Sequence, residues 1–497
     1  MSDILALYKE HLREIGKLSS SLALLHWDQR THLPEKGHPA RAEVIGKLAK
    51  MVFELSTSDA LGHYLEELEK RDDLSELDRA SVRVVGRDYR RYKAIPPDLF
   101  EEFAIARAES ETAWEKARAE SDFAAFRPHL EKMVDYSRRF AEYFGYEENP
   151  YDALIEEYEP GMTAAQLAGI IAPLRERLVP FIKRLVEDGT RPRTDFISGE
   201  YAENGQRQLS LRALEAIGYD FSAGRLDTTV HPFTIGVGPG DVRVTTRFLP
   251  DDPFSGLYSS IHEGGHALYE QGIPDELRWT GLDDGASMGI HESQSRMWEN
   301  MVGRGRPFWE YFAPLAGEVF PAFAKVSPEE LYRAVNVVEP SLIRVEADEV
   351  TYNLHIMLRF ELEDGLINRR IAVSDLPELW NEAMDRYLGV VPEDDAHGVL
   401  QDVHWSGGMF GYFPSYMLGN LYAAQLYAKA QEEIPDLEGK FAAGDFSPLL
   451  SWLREKIHRF GKIYDPVDLL ERATGEKPDP NYFVDYVIRK YSAVYEL

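Results

Sequence analysis

The sequence predicts a mostly α-helical protein, with one large helical body and a small β-hairpin. Apolar residues recur at helical spacing along most of the 497 residues, whereas period-two alternation is confined to one segment. Hydrophobic residues make up 44% of the chain and aromatic residues 12%, which is enough for a large core. No internal repeat or long linker divides the chain, so we expect a single domain over 1–497.

The helical pattern covers eleven segments. The breaks between them fall at clusters of Gly, Pro and Asp, which interrupt helices. The predicted helices lie at 1–25, 38–56, 97–119, 122–144, 163–187, 252–271, 287–303, 346–363, 373–388, 410–432 and 480–494.

The exception is the segment 231–248, HPFTIGVGPGDVRVTTRF, which is predicted to form a β-hairpin around a Gly-Pro-Gly loop. A three-residue loop would pair Val237 with Asp241 and Ile235 with Arg243. Side chains alternate between the two faces of a strand, so every second residue shares the face of Arg243.

Composition excludes several classes of function. The chain has 55 Lys and Arg against 85 Asp and Glu, a net charge of −30, which repels nucleic-acid phosphates. It has no cysteine, which excludes thiol nucleophiles, disulfides and Cys-ligated metals. No apolar run approaches the roughly 18 residues of a membrane span, and the first residues lack the apolar core of a signal peptide. We therefore expect a cytoplasmic protein with neither nucleic acid nor a membrane as partner.

The clearest functional signal is the motif HEGGH at 262–266. On a helix, residues four apart lie on one side, so His262 and His266 can bind a single metal ion. Glu263 is offset from them and faces the water bound to that ion. The glycines at 264 and 265 each cost the helix about 1 kcal/mol relative to alanine, but they permit the close approach of another helix or of a substrate backbone.

A catalytic zinc site needs a third protein ligand and an open position. The metzincin pattern, which needs a third histidine six residues after the second, is excluded because that residue is Gly272. Glu292 begins the next strongly helical stretch after a loop, and it is the predicted third ligand. His291 and Glu299 are the alternatives.

These residues and several further blocks, in the same order, resemble the carboxypeptidase Taq family of thermostable HExxH zinc metallocarboxypeptidases. The matching blocks are LLHWDQRTHLP at 24–34, HPF at 231–233, DVRVT at 241–245, HEGGH at 262–266, HESQ at 291–294, IRVEAD at 343–348, GVLQDVHW at 398–405 and GYFPSYMLGNLYAAQ at 411–425.

The resemblance implies an almost wholly helical peptidase with a deep active-site groove and a small sheet beside the zinc helix. It implies a helical lid or N-terminal lobe over 1–150, a catalytic body over 151–497, and a cytosolic homodimer. The implied activity is the release of single amino acids from the free C-terminus of peptides, with broad specificity.

Roles for individual residues follow from the motif and the resemblance together. One Zn²⁺ per chain, bound by two histidines and Glu292, lowers the pKa of its water, and sites of this type also accept Co²⁺ or Mn²⁺. Glu263 takes the proton of that water as general base and delivers it to the departing amine. By similarity to related helical zinc peptidases, His404 and Tyr412 stabilise the oxyanion. The competing interpretation is that both are core residues.

An exopeptidase must also recognise the terminal carboxylate, and the planar fork of arginine suits that anion. Arg344 and Arg243 are the candidates, with His231 as an additional donor, although arginines in so acidic a chain commonly pair with surface carboxylates. An HExxH zinc oligopeptidase or a dipeptidyl carboxypeptidase is the alternative activity. A helical binding scaffold with a decayed zinc site is the alternative from another class, and the intact HEGGH with Glu292 argues against it.

Overall fold

The computed structural model describes residues 3–497, which form twenty α-helices and one three-stranded sheet. The helices before the sheet are α1 (Ile4–Thr31), α2 (His38–Ser56), α3 (Asp59–Glu69), α4 (Glu76–Ala94), α5 (Pro97–Glu120), α6 (Phe123–Phe144), α7 (Pro150–Ile155), α8 (Ala164–Asp188) and α9 (Glu203–Ile217). The strands are β1 (Leu226–Thr228), β2 (Thr234–Gly238) and β3 (Asp241–Thr246). The helices after the sheet are α10 (Ser255–Gly272), α11 (Met288–Arg296), α12 (Arg306–Val319), α13 (Pro328–Ala334), α14 (Tyr352–Ile367), α15 (Leu376–Leu388), α16 (Phe413–Glu433), α17 (Leu437–Ala442), α18 (Ser447–Lys456), α19 (Pro466–Thr474) and α20 (Asn481–Tyr495).

The mostly helical fold class is confirmed, and each predicted helix has a counterpart. The first two residues of the predicted helix over 1–25 lie outside the described residues, and α1 continues to Thr31. Nine of the twenty described helices were not predicted, among them α4 and α9. Of the predicted helices, α14 begins six residues late, at Tyr352 rather than at 346. A 3₁₀ turn and the carboxylate of Asp348, which accepts the N–H groups of Val350 and Thr351, occupy the preceding residues.

The sheet has the order β1-β3-β2, with β1 parallel and β2 antiparallel to β3, so β2 is an edge strand. The predicted pairing of Ile235 with Arg243 is confirmed. The predicted pairing of Val237 with Asp241 is wrong, because an irregularity in β2 shifts the register and Gly238 pairs with Asp241 instead. Strand β1 was not predicted, since three residues are too few to show a period.

Most of the chain shares one large hydrophobic core, to which α5 and α6 contribute. Helices α1, α3 and α4 form a second, smaller cluster that includes Tyr8, Leu12, Leu61, Leu65 and Val82. The predicted division at residue 150 remains a prediction. None of the described helices is both long and apolar enough to cross a membrane.

Three helices approach one another closely at two glycines. A Cβ atom on Gly265 of α10 would lie 2.6 Å from the Cα of Ser295 in α11. A Cβ atom on Gly419 of α16 would lie 2.6 Å from the Cβ of Glu292 in α11. Helix α11 is thus held between α10 and α16, with Glu292 at the point of contact.

A buried carboxylate fixes the beginning of α11. Glu159 accepts the N–H of Gly289 at 3.0 Å and the hydroxyl of Tyr422 at 3.1 Å. Burial raises the pKa of Glu159 to about 7, although these donors favour its ionised form. Beyond Arg296, α11 continues as a π-helix over Met297–Gly303.

Gly265→Ala is expected to lower the melting temperature, because the added methyl group collides with the α11 backbone, and overpacking costs about 1–3 kcal/mol. Gly169→Ala in α8 is the matched control, since its added Cβ meets nothing within 4 Å. The free energy of unfolding of that control should rise by up to about 1 kcal/mol, because alanine has a higher helix propensity than glycine. Thermal unfolding of both variants tests this, and a Gly265→Ala protein at least as stable as the wild type contradicts the packing described.

Glu159→Gln is expected to become more stable relative to the wild type as the pH rises. A carboxyl group whose folded-state pKa is raised from 4.5 to about 7 contributes stability below pH 4.5 that is lost as the pH rises through 7. The uncharged amide has no such pH dependence. The difference in free energy of unfolding between the two proteins should therefore grow by about 3 kcal/mol in favour of the variant. Melting temperatures at pH 5 and pH 8 measure it, and an equal offset at both contradicts it.

Candidate active site

Helices α10 and α11 bring the three predicted metal ligands together. The Nε2 atoms of His266 and His262 lie 3.3 and 3.6 Å from Oε2 of Glu292, and the three atoms all lie within 4.8 Å of one another. Two imidazoles and a carboxylate form the protein ligand set of one class of catalytic zinc site. The arrangement follows from the i, i+4 spacing in α10 and from the contact at Gly265.

The other ring nitrogen of His262 is held by Glu299. Its Nδ1 lies 2.9 Å from Oε2 of Glu299, and Arg304 lies 3.2 Å from the second oxygen of that carboxylate. Burial opposes ionisation of Glu299, but the bond from His262 and the charge of Arg304 hold its pKa at about 2. Glu299, an alternative ligand in the sequence analysis, therefore lies behind His262 and orients it.

His266 is held by a second histidine. Its Nδ1 lies 2.6 Å from Nδ1 of His291, and Nε2 of His291 lies 2.8 Å from Oε1 of Glu270. Burial lowers the pKa of His266 to about 4, so this histidine is neutral at neutral pH. The side chain of His291, the other alternative ligand, thus lies behind the ring of His266 and does not point to the same place as the carboxylate of Glu292.

Glu292 is ionised and fixed in place. Arg296, one helical turn further on, donates Nε to Oε1 at 2.7 Å, and the hydroxyl of Ser295 donates to Oε2 at 2.9 Å. Burial opposes the charge, but Arg296 and the neighbouring histidines hold the pKa of Glu292 well below its usual range. The guanidinium of Arg296 also lies 4.3 Å from the ring centre of Tyr352.

Glu263 lies beside the predicted ligands and against strand β2. The hydroxyl of Thr234 lies 2.8 Å both from Oε2 and from the main-chain oxygen of Glu263. Burial raises the pKa of Glu263, while His262 and Thr234 act in the opposite direction. The edge strand therefore positions the predicted general base.

A groove continues from Thr234 along β2. This cavity of about 970 Å³ lies between α1, the edge of β2 and the end of α10, and Ser20, Gly238, Glu270 and Trp279 are among its lining residues. Its wall includes main-chain groups of an edge strand, which a peptide can pair with.

His404 and Tyr412 lie in one aromatic group near Glu292. Burial lowers the pKa of His404 to about 4, and its Nε2 lies 3.3 Å from the hydroxyl of Tyr416. Burial, and then the charge of Glu292, raise the pKa of Tyr412, which stays protonated. The ring centres of His404 and Tyr412 are 5.4 Å apart.

The segment that carries these two residues is anchored by a buried carboxylate. Glu363 of α14 accepts Nε1 of Trp405 at 2.7 Å and the N–H of Gly411 at 2.8 Å. The two residues that Glu363 binds, Trp405 and Gly411, are therefore the immediate sequence neighbours of His404 and Tyr412.

Arg344 is buried in an ion pair rather than exposed. Its Nε and Nη2 donate to Oδ1 of Asp402 at 3.0 and 2.9 Å, and its Nη1 donates to the hydroxyl of Tyr352 at 2.8 Å. Arg359 donates to the other oxygen of the same carboxylate at 2.7 Å. Two guanidinium groups thus share one carboxylate, which leaves an excess of positive charge.

Arg243 and His231 have different surroundings. Arg243 forms a two-point ion pair with Asp241, at 2.8 and 2.7 Å, and lies 4.1 Å from the ring centre of Trp27 in α1. His231 precedes β2, is exposed and makes no hydrogen bond to another described residue. Among the described residues, no hydrogen bond connects Arg344, Arg243 and His231.

Glu270, Arg296, Thr234 and Glu363 are among the site residues that sequence reasoning missed. Glu270 and Arg296 each follow a ligand by four residues, so helical spacing could have identified them. Thr234 and Glu363 had no such signal, because only tertiary packing brings them to the site.

Comparisons with known proteins agree with this arrangement. The family profile described as "Carboxypeptidase Taq (M32) metallopeptidase" matches residues 7–491. Thermostable carboxypeptidase 1 of Thermus thermophilus is 47% identical over 499 residues, which cover 98% of each chain. Carboxypeptidase 1 of Bacillus subtilis is 45% identical over 488 residues, which cover 98% of this chain and 97% of its own.

Solved structures show the same similarity. An M32 carboxypeptidase from Deinococcus radiodurans R1 matches with a TM-score of 0.97 at 41% identity, covering 99% of this chain and 100% of that chain. A Pyrococcus furiosus carboxypeptidase matches with a TM-score of 0.96 at 39% identity, covering 99% of each chain. These findings confirm the resemblance seen in the sequence. The chain belongs to the carboxypeptidase Taq (M32) family and is a metallocarboxypeptidase.

Proposed function

We propose that this metallocarboxypeptidase uses Zn²⁺ to release single amino acids from peptides that have a free C-terminus. The observation that carries the proposal is the convergence of His262, His266 and Glu292 beside the carboxylate of Glu263. The residues fit a zinc ion, since both imidazoles have their second nitrogen hydrogen-bonded and the carboxylate is ionised. When bound, the zinc supplies a Lewis acid and lowers the pKa of water. Co²⁺ and Mn²⁺ suit the same donor set.

Glu263 is the proposed general base and acid. Thr234 holds Oε2, which leaves Oε1 of Glu263 to accept a proton from the attacking water. The same oxygen then delivers the proton to the leaving nitrogen. Because Thr234 belongs to the edge strand, a peptide paired with β2 lies next to the base.

Tyr412 and His404 are the proposed donors to the oxyanion. The hydroxyl of Tyr412 stays protonated in its buried position beside Glu292, and His404 is neutral, so each has a hydrogen to donate. Donors that are already oriented stabilise the charge that develops in the transition state. Glu363 holds the segment on which they lie.

Recognition of the terminal carboxylate is assigned to Arg344, with Arg243 and His231 as further contributors. Support for Arg344 comes from the excess positive charge that it and Arg359 create around Asp402. An anion that approaches Tyr352 and Tyr416 meets this charge, because the Arg344 guanidinium lies 4.9 Å from the Tyr416 ring centre. A peptide that pairs with the main chain of β2 is recognised through few of its own side chains, which supports broad specificity. We further propose a cytoplasmic homodimer, on the family resemblance alone.

Glu263→Gln is expected to lower kcat by about 10²–10⁴-fold, because proton transfer is lost while the metal ligands remain. Mass spectrometry of products from a peptide acid and its C-terminal amide tests the whole proposal, with Glu215→Gln on the exposed side of α9 as the matched control. The wild type and the control should remove single residues, and from the acid only. Cleavage of the amide or loss of dipeptides supports an oligopeptidase or dipeptidyl carboxypeptidase instead. Full activity of Glu263→Gln contradicts the mechanism.

Tyr412→Phe is expected to lower kcat by about 10²-fold with KM and metal content unchanged, because only a transition-state donor is removed. Tyr158→Phe is the control, since its ring packs edge-to-face on Tyr412 with centres 5.0 Å apart. Steady-state kinetics distinguish the two, and equal effects of both substitutions would reduce Tyr412 to a packing role.

A further inference from the structure

A second group of metal-binding residue types lies directly behind His266. Donor atoms of Glu270, Asp284 and His291 come within 4.8 Å of one another. Such a group could hold a second ion or could support the first ligand site through hydrogen bonds. The proton positions distinguish these two roles.

Between two imidazole nitrogens 2.6 Å apart, one must donate and the other accept. If Nε2 of His266 binds a metal, its proton resides on Nδ1 and is donated to Nδ1 of His291. The proton of His291 then resides on Nε2, which donates to Oε1 of Glu270 at 2.8 Å. In that state Nε2 of His291 has no lone pair for a second ion.

Asp284 also has a partner that an ion would have to displace. Nζ of Lys462 lies 2.7 Å from Oδ2 of Asp284, so the lysine supplies the positive charge that a bound ion would otherwise supply. Glu270 is equally confined, because a Cβ atom on Gly236 of β2 would lie 3.1 Å from its Oε2. Its carboxylate is therefore fixed between His291 and the strand that lines the groove.

We infer that His291 and Glu270 are positioning residues that fix His266 as a metal ligand, and that the group Glu270–Asp284–His291 does not take a second ion. The inference rests on the proposed metal site. The negative charge of Glu270 reaches His266 through His291, whereas Glu299 acts on His262 directly. Partners of this kind orient the ligand and increase its basicity.

Metal affinity of His291→Ala, Glu270→Ala and Glu270→Gln tests the inference. The first two should weaken Zn²⁺ binding by about 10–100-fold, the range for loss of such a partner. Glu270→Gln should weaken it less, because the amide oxygen still accepts a hydrogen bond. Glu276→Gln is the matched control, since it is exposed and contacts none of these groups.

Zinc affinity is measured by competition with a chromophoric chelator, and the visible spectrum of the Co²⁺ form reports ligand geometry. Wild type should bind one Zn²⁺ per chain, and the variants should alter the Co²⁺ spectrum, whereas Glu276→Gln should not. Melting temperatures of the metal-free proteins identify any misfolded variant, and the near-isosteric Glu270→Gln keeps the test decisive.

Two tightly bound ions per chain, the second lost in His291→Ala, would overturn the inference, as would unchanged affinity and spectra in all three variants. Failure of the wild type to bind zinc would overturn the proposed function and the inference together. Normal binding by the wild type with no effect of the substitutions would overturn the inference alone.

Discussion

The close contact between α10 and α11 determines the rest of the site. Only a glycine at 265 lets the two backbones approach, and that approach brings Glu292 to 3.3 Å from His266. Gly419 allows an equally close approach of α16 to α11, so α16 packs against Glu292. Because Tyr412 directly precedes α16, one packing arrangement positions both the proposed metal ligands and the proposed oxyanion donor.

The site concentrates charge in a buried region, and almost every charge has a partner. Buried ions are costly unless paired and hydrogen-bonded. Arg296 neutralises Glu292, and Arg304 approaches Glu299, so neither carboxylate is left alone behind the histidines. The pair of guanidinium groups on Asp402 is the exception, and its surplus positive charge suits an anionic ligand.

Local sequence patterns predicted much of the fold and of the candidate site, whereas the other features depend on tertiary packing. Helical spacing was sufficient to assign His262 and His266 to one side of α10, and the fold class followed from the same period. The choice among Glu292, His291 and Glu299 depends on which face of α11 and of the following π-helix meets α10, which the sequence does not encode locally. The shifted register of β2 and the burial of Arg344 likewise arise from contacts between distant segments.

The most direct test is a crystal structure of the zinc-loaded protein with anomalous diffraction recorded at the zinc edge. We expect one peak per chain, about 2.0–2.2 Å from Nε2 of His262, Nε2 of His266 and an oxygen of Glu292. The Nδ1 atoms should keep their bonds to Glu299 and His291. A peak coordinated by His291, or a second peak between Glu270 and Asp284, would contradict the ligand set and the role given to the residues behind it.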